Sequence, residues 1–221
     1  MSGRCDFHTH TVLTDGELLP VESIRRAKVL GYKAIAITEH IGAEDPVPLI
    51  KRLRLECEMG SEGFGVQALW GVEITHVPPR YIPQVAERAR KAGARIIVVH
   101  GETLAEPVAK GTNWAAVNSD IDILAHPGLL SSREAGMAAQ KGVFLEITSH
   151  PGHAYTNGHV ARISTDAAAL LLINSDSHSS RDMMDQEMAT RIGLGAGLHR
   201  TEVGPILNDN PKRLLERSSD D

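Results

Sequence analysis

The sequence predicts an α/β protein built on a parallel sheet, either closed into a barrel or covered on both faces by helices. Three observations carry that expectation. Seven short apolar, β-branched stretches recur, nearly all followed by a helix-like segment. The stretches are continuously apolar rather than alternating, as strands are when both faces of a sheet are buried. The glycine-rich phosphate loop of a doubly wound nucleotide-binding sheet is missing, since neither GxGxxG nor GxxxxGKS/T follows the first strand.

The elements run in order. "RCDFH" leads to the helix "PVESIRRAKVLG", with Pro20 at its start and Gly31 after its end as punctuation. "AIAITEH" leads to "PVPLIKRLRLECEMG", and "VQALWGVEIT" to "PRYIPQVAERARKAG". "ARIIVVH" precedes a short irregular segment, and "DILAHPG" precedes "SREAGMAAQKG". "VFLEITSH" leads through a polar segment to "HVARISTDAAA". "LLLINSDSHS" leads to "DQEMATRIGLGAG", and a last helix "NPKRLLERS" closes the chain. There is no fixed-length repeat of the solenoid kind.

With 221 residues and 42% apolar content, one domain spanning 1–221 is expected, because no linker-like stretch divides the chain. A net charge of -5 argues against a broad basic face for long nucleic acid. Cys5 and Cys57 read as reduced, buried thiols. No apolar run approaches the roughly 18 residues of a membrane span. The opening "MSGRCDFHTH" is unlike a signal peptide, so a cytoplasmic protein without membrane association is expected. Oligomeric state is left open.

Eleven histidines against three Phe, three Tyr and two Trp is not how a core is built. The strand ends read His8/His10, His40, Glu73, His100, His126, Glu146 and Asp176/His178. Singly, each has a bland reading: His40 as a rim residue, "AHPG" at His126 as a turn, Glu73 as a surface carboxylate. Jointly they would form one ring around one mouth of a parallel barrel, where active sites of such barrels lie. Imidazole plus carboxylate, without clustered cysteine, suits catalytic Zn, Mn or Fe. The donors overfill one ion, so two or three ions sharing a bridging carboxylate account for the number.

"DFHTHTVLTDG", "ITEH", "GVEIT", "VVHGE", "ILAHPG" and "NSDSH", in that order, resemble the PHP (polymerase and histidinol phosphatase) domain, from about Cys5 to His178. The resemblance implies a distorted (β/α)7, TIM-barrel-like fold with a trinuclear metal site at the carboxyl ends of the strands. It implies that His8, His10, Glu73 and Asp176 bind one metal. Glu73 would bridge to a second, completed by His100 and His126, and Asp15, His40 and His178 would hold a third. Some relatives carry histidine where this chain has Asp15, which would alter the third ion's affinity. The implied activity is a metal-dependent phosphoesterase: a phosphatase using metal-activated hydroxide on a small phosphorylated substrate, most readily a phosphomonoester.

Glu146, outside that set, is expected to orient a histidine or act as a base. The segment after the sixth strand crowds His150, His153, Asn157, His159 and Arg162 together. Of these His153, Asn157 and Arg162 are taken as substrate contacts, although His159 and Arg162 also fit a solvated helix face. Three rivals stand beside the phosphatase. An amidohydrolase-type barrel would bridge its metals with a lysine after the fourth strand, where this chain has His100. A nuclease or phosphodiesterase would trim oligonucleotide ends, and a non-catalytic metal-binding module would turn nothing over.

Overall fold

The computed structural model describes residues 3–219. All seven strands form, parallel and in sequential order: β1 (Arg4–Asp6), β2 (Tyr32–Ile41), β3 (Gln67–Ile74), β4 (Ile96–His100), β5 (Ile123–Ala125), β6 (Phe144–Thr148) and β7 (Leu171–Asn174). The helices between and after them are α1 (Pro20–Val29), α2 (Val47–Phe64), α3 (Ile82–Lys91), α4 (Thr112–Val117), α5 (Ser132–Lys141), α6 (Asn157–Asp166), α7 (Gln186–Gly195) and α8 (Arg200–Ser219). Sequential parallel strands with helical returns curl into a nearly closed, distorted (β/α)7 barrel.

The seam between β1 and β7 is closed by a mixture of backbone and side chain. At the upper end Thr9 bridges Ser177: His10 N–H donates to the Ser177 carbonyl (2.8 Å) and Asp176 N–H to that of His8 (3.0 Å). Lower down, side chains stand in for ladder partners. Phe7 N–H donates to Asn174 Oδ1 and Ser175 N–H to Asp6 Oδ1, both at 3.1 Å.

Strand side chains alternate between two cores. Ala34, Ala36, Leu69, Ile96, Val98, Ile123, Ala125, Phe144 and Leu172 fill the barrel with Cys5 and Phe7, and Leu214 of α8 joins that cluster. The intervening residues, such as Ile97, Val99, Leu124, Leu145 and Ile173, pack outward beneath the helices. Glycine is required at Gly71, where a Cβ would stand 2.2 Å from the Ile96 carbonyl oxygen. The inward rows do not stop at the core. Leu69–Gly71–Glu73, Ile96–Val98–His100 and Phe144–Glu146 each end in a potential ligand, because i, i+2 and i+4 share a face.

Two segments differ from expectation. The irregular stretch after β4 contains the short helix α4, and the last helix begins at Arg200 rather than near Asn210. Pro205 and Pro211 lie inside α8 and each removes an N–H from its ladder. Burial of Val203, Ile206, Leu207 and Leu214 along one face outweighs that loss, and Asn210 Nδ2 donates to the Leu171 carbonyl. Cys5 and Cys57 are free and buried, and no helix among the described residues is long and apolar enough to cross a membrane.

Candidate metal centre

Every residue expected to ligate is found at the carboxyl end of the barrel, and all but His8 and His10 line a cavity of about 420 Å³ there. A larger cavity of about 820 Å³ lies at the opposite end, among Arg90, Arg95, Asp122 and Arg217. Its arginines are already engaged: Arg90 and Arg217 hold Asp122 at 2.9 and 2.5 Å, and Arg95 donates to the Ser218 carbonyl.

His8, His10, Glu73 and Asp176 form the innermost group, all 2% exposed or less. Glu73 Oε2 lies 3.3 Å from His8 Nε2 and 3.4 Å from His10 Nε2. Asp176 Oδ1 lies 3.5 and 3.3 Å from the same atoms. The Nε2 atoms of both histidines and Glu73 Oε1 are buried without a hydrogen-bond partner, which is costly for polar groups, while Glu73 Oε2 also lies 2.9 Å from His40 Nδ1. Donors 2.0–2.1 Å from a tetrahedral ion are separated by about 3.3 Å, so the spacing of these atoms fits a divalent cation between them.

Asp15, on the loop after β1, reaches His40 and His178 with one oxygen, Oδ2, 3.4 Å from each Nε2. With His10 these residues form a second group of converging donors. The loop that carries Asp15 is tied down by Glu39, buried on β2, which accepts hydrogen bonds from the Thr11 and Thr14 hydroxyls. A third group is His100, His126 and His153. His126 Nε2 also faces the inner carboxylates, 3.6 Å from Glu73 Oε1 and 3.7 Å from Asp176 Oδ2. Glu73, between the groups, is therefore placed where a bridging ligand would sit.

Two of these residues are held in left-handed backbone conformations that non-glycine residues rarely adopt: His126 at φ 28° and Asp176 at φ 53°. Such strain persists only where the surroundings over-determine it, and it concentrates at functional sites.

Burial disfavours charge throughout the centre. For Glu73 it is overcome by His8 and His40, and for Asp176 by His8 and His10, so both carboxyls lie well below their ordinary values. For His8 burial is overcome by the Glu146, Asp176 and Glu73 carboxylates, which raise it well above its ordinary value. Burial lowers His10 to about 4, and burial together with His100 holds His126 well below the usual imidazole range. Ionised Glu73 and Asp176 beside neutral His10 and His126 are donors of the kind a divalent cation needs.

Glu146 does not face the cavity. Its Oε2 lies 2.8 Å from His8 Nδ1 and accepts from Asn174 Nδ2 at 3.0 Å. Of the three residues expected to touch substrate, only His153 lines the cavity. Asn157 is turned back on β6, where Oδ1 accepts from Thr148 N–H and Nδ2 donates to the Thr148 carbonyl. Arg162 is exposed on α6 and pairs with Asp166 at 3.6 Å, one helical turn away. His159 reaches the Leu130 carbonyl, while His150 joins the cavity wall. Sequence reasoning passed over Glu106, on the loop after β4, which the structure brings to His100 and His153. The only signal is "HGETLAEP", a carboxylate six residues beyond His100.

No family model matches the chain. It is 45% identical over 216 residues to "Uncharacterized protein MJ1295" of Methanocaldococcus jannaschii, covering 97% of this chain and 99% of that protein. It is 24% identical to the DNA polymerase/3'-5' exonuclease PolX of Bacillus subtilis, over 96% of this chain but 40% of the relative. Among solved structures, histidinol phosphate phosphatase from Lactococcus lactis, complexed with zinc, L-histidinol and phosphate, superposes with TM-score 0.64 at 13% identity. That match covers 91% of this chain and 94% of the other. Ochratoxinase of A. niger superposes equally well (0.64, 12%), over 97% and 71%. Likenesses this distant establish the barrel.

Proposed function

Because the chain belongs to the family of MJ1295, which it matches almost end to end, we propose a function from its own site: metal-dependent hydrolysis of a phosphate ester at a PHP-type centre. The observation that carries the reading is the set of buried, unpartnered donors on His8, His10 and Glu73, spaced as the edges of a metal polyhedron. His8, His10, Glu73 and Asp176 would hold one ion, Glu73, His100 and His126 a second, and Asp15, His40 and His178 a third. Zinc, manganese and iron all suit these donors. When bound, such ions acidify a coordinated water and neutralise charge on phosphoryl oxygens.

The chain's own residues set the limits of that chemistry. Glu146 fixes the ring of His8 through Nδ1, which leaves Nε2 to the centre. Glu39 holds the loop that presents Asp15. A cavity of about 420 Å³ admits a small ester, and its histidine and carboxylate walls offer hydrogen bonds to a leaving group. Small phosphomonoesters are the favoured class, in keeping with the fold shared with the Lactococcus phosphatase.

A second reading is removal of nucleotides from oligonucleotide ends, favoured by the PolX likeness along nearly the whole chain. The cavity lining contributes no arginine or lysine to track a phosphate backbone, which weighs against it. The amide-hydrolase reading is weakened because β4 ends in His100, with no lysine there, and Glu73 would supply the bridge instead.

The test is turnover of phosphomonoesters, phosphodiesters and single-stranded oligonucleotides by protein reconstituted with Mn, Zn or Fe. Monoester turnover that falls at least about 10³-fold in His8→Ala and Glu73→Gln supports the reading. Turnover of oligonucleotides alone selects the second reading. Bound metal without hydrolysis of any ester leaves a metal-binding module.

A further inference from the structure

Glu106 stands at the cavity rim, outside the nine residues assigned to ions above. Its Oε2 lies 2.9 Å from His76 Nε2 and 3.2 Å from His100 Nε2, and its Oε1 lies 3.6 Å from His153 Nε2. Three imidazoles converge on one half-buried carboxylate.

The rings are held for the purpose. His100 Nδ1 bonds the Gly101 carbonyl and His153 Nδ1 pairs with Thr103 Oγ1 at 2.8 Å, so both present Nε2 toward Glu106. Fixing one ring nitrogen to aim the other is how proteins orient metal-bound histidine. His76, like His126 and Asp176, sits in the left-handed region, at φ 53°.

The loop carrying Glu106 is also a built object. Glu102 Oε1 accepts from the Gly111 and Asn113 backbone N–H groups, at 2.9 and 3.0 Å. Asn113 Oδ1 accepts from Glu102 N–H and its Nδ2 donates to the Pro127 carbonyl, next to His126. The Glu102 carbonyl passes so close to Gly128 that a Cβ there would lie 1.8 Å from it. This clamp fixes the loop against the strand end that bears His126.

We infer that Glu106 and His153 are ligands of the ion shared by His100 and His126, with His76 positioning the Glu106 carboxylate. His153 belongs with His100 and His126 in one group of converging, buried donors, and Glu106 reaches two members of that group, His100 and His153, from the half-exposed rim. The second ion thus acquires a three-imidazole, one-carboxylate sphere in addition to the bridge from Glu73. The inference rests on the metal-centre reading above and deepens it.

The test uses the full chain and zinc alone. Ions per chain and their affinities are measured by competition with a chromophoric chelator, with elemental analysis after gel filtration. Glu106→Gln and His153→Gln should each weaken one ion at least about 10-fold and leave the others unchanged, with His76→Gln producing a smaller loss at the same ion. Zinc anomalous scattering should place a peak within about 2.0–2.3 Å of a Glu106 oxygen and of His153 Nε2. Wild-type affinities for every ion in both Gln variants would overturn the inference, and so would an equal loss at all ions. A wild-type chain that hydrolyses esters while both variants keep every ion sinks the inference alone. Zinc dependent on Glu106 and His153 without ester hydrolysis sinks the phosphoesterase reading alone. A chain that binds no zinc overturns both.

Discussion

Nδ1 of His8 lies 2.8 Å from Oε2 of Glu146, with both side chains wholly buried inside the barrel. The carboxylate fixes the ring's orientation and raises the basicity of Nε2. Glu146→Gln should weaken metal binding about 10–100-fold without altering the secondary structure, as measured by chelator competition alongside circular dichroism.

Metal removal should also be visible in stability. An ion that binds only the folded chain, at a hundred times its dissociation constant, adds about 2.7 kcal/mol. For a chain of this size that corresponds to a melting temperature about 5–10 °C higher with metal than with chelator. Identical melting curves in the two conditions would speak against a preformed centre.

The pH dependence has two signs. His10 takes up its proton near 6.5 when unfolded but near 4 when folded. Its contribution to stability is therefore complete above about pH 6.5 and is lost as pH falls toward 4. Glu73 and Asp176, also depressed, lose theirs at still lower pH, as it passes through their folded values. His8 is raised, so its contribution is full below about 6.5 and disappears as pH rises through its folded value. Denaturation midpoints of chelated protein should fall from pH 6.5 to 4. Metal affinity should climb with pH as His8 gives up its proton.

Gly128→Ala should be among the costly single changes. Gly128 has φ +64°, and the added methyl would meet the Glu102 carbonyl oxygen at 1.8 Å. A loss of at least about 2 kcal/mol in denaturant unfolding is expected. By contrast, Arg162→Ala removes an exposed pair one turn along α6 and should shift stability by less than about 0.5 kcal/mol. It should leave KM for any substrate unchanged.

The strand-end residues were legible because a strand's period is two. Once "VQALWGVE" is a strand, Leu69 and Glu73 must share the inner face, and the same logic places His100 and Glu146. Loops have no period. Nothing in "HGETLAEP" says that Glu106 turns back onto His100, because that depends on Asn113 bonding to Pro127, across two elements. The charge of Arg162 suggests a phosphate contact, but helical phase turns it to solvent. In the sequence Pro211 reads as a first-turn proline, whereas α8 starts at Arg200 because tertiary packing buries the apolar face beginning at Val203.

The seam of the barrel has a topological consequence. His8 and His10 follow β1, Asp176 follows β7, and the two segments already share backbone hydrogen bonds. An ion held by all three would act as a removable cross-link between positions about 170 residues apart, closing a loop that holds most of the chain. Like a disulfide, it would draw much of its effect from restricting the unfolded ensemble. Chelation would then cut the staple at the one strand pair that relies on Asp6 and Asn174 side chains instead of a full ladder. Amide exchange should accelerate first along that line, with the β2–β3 ladder the last to open.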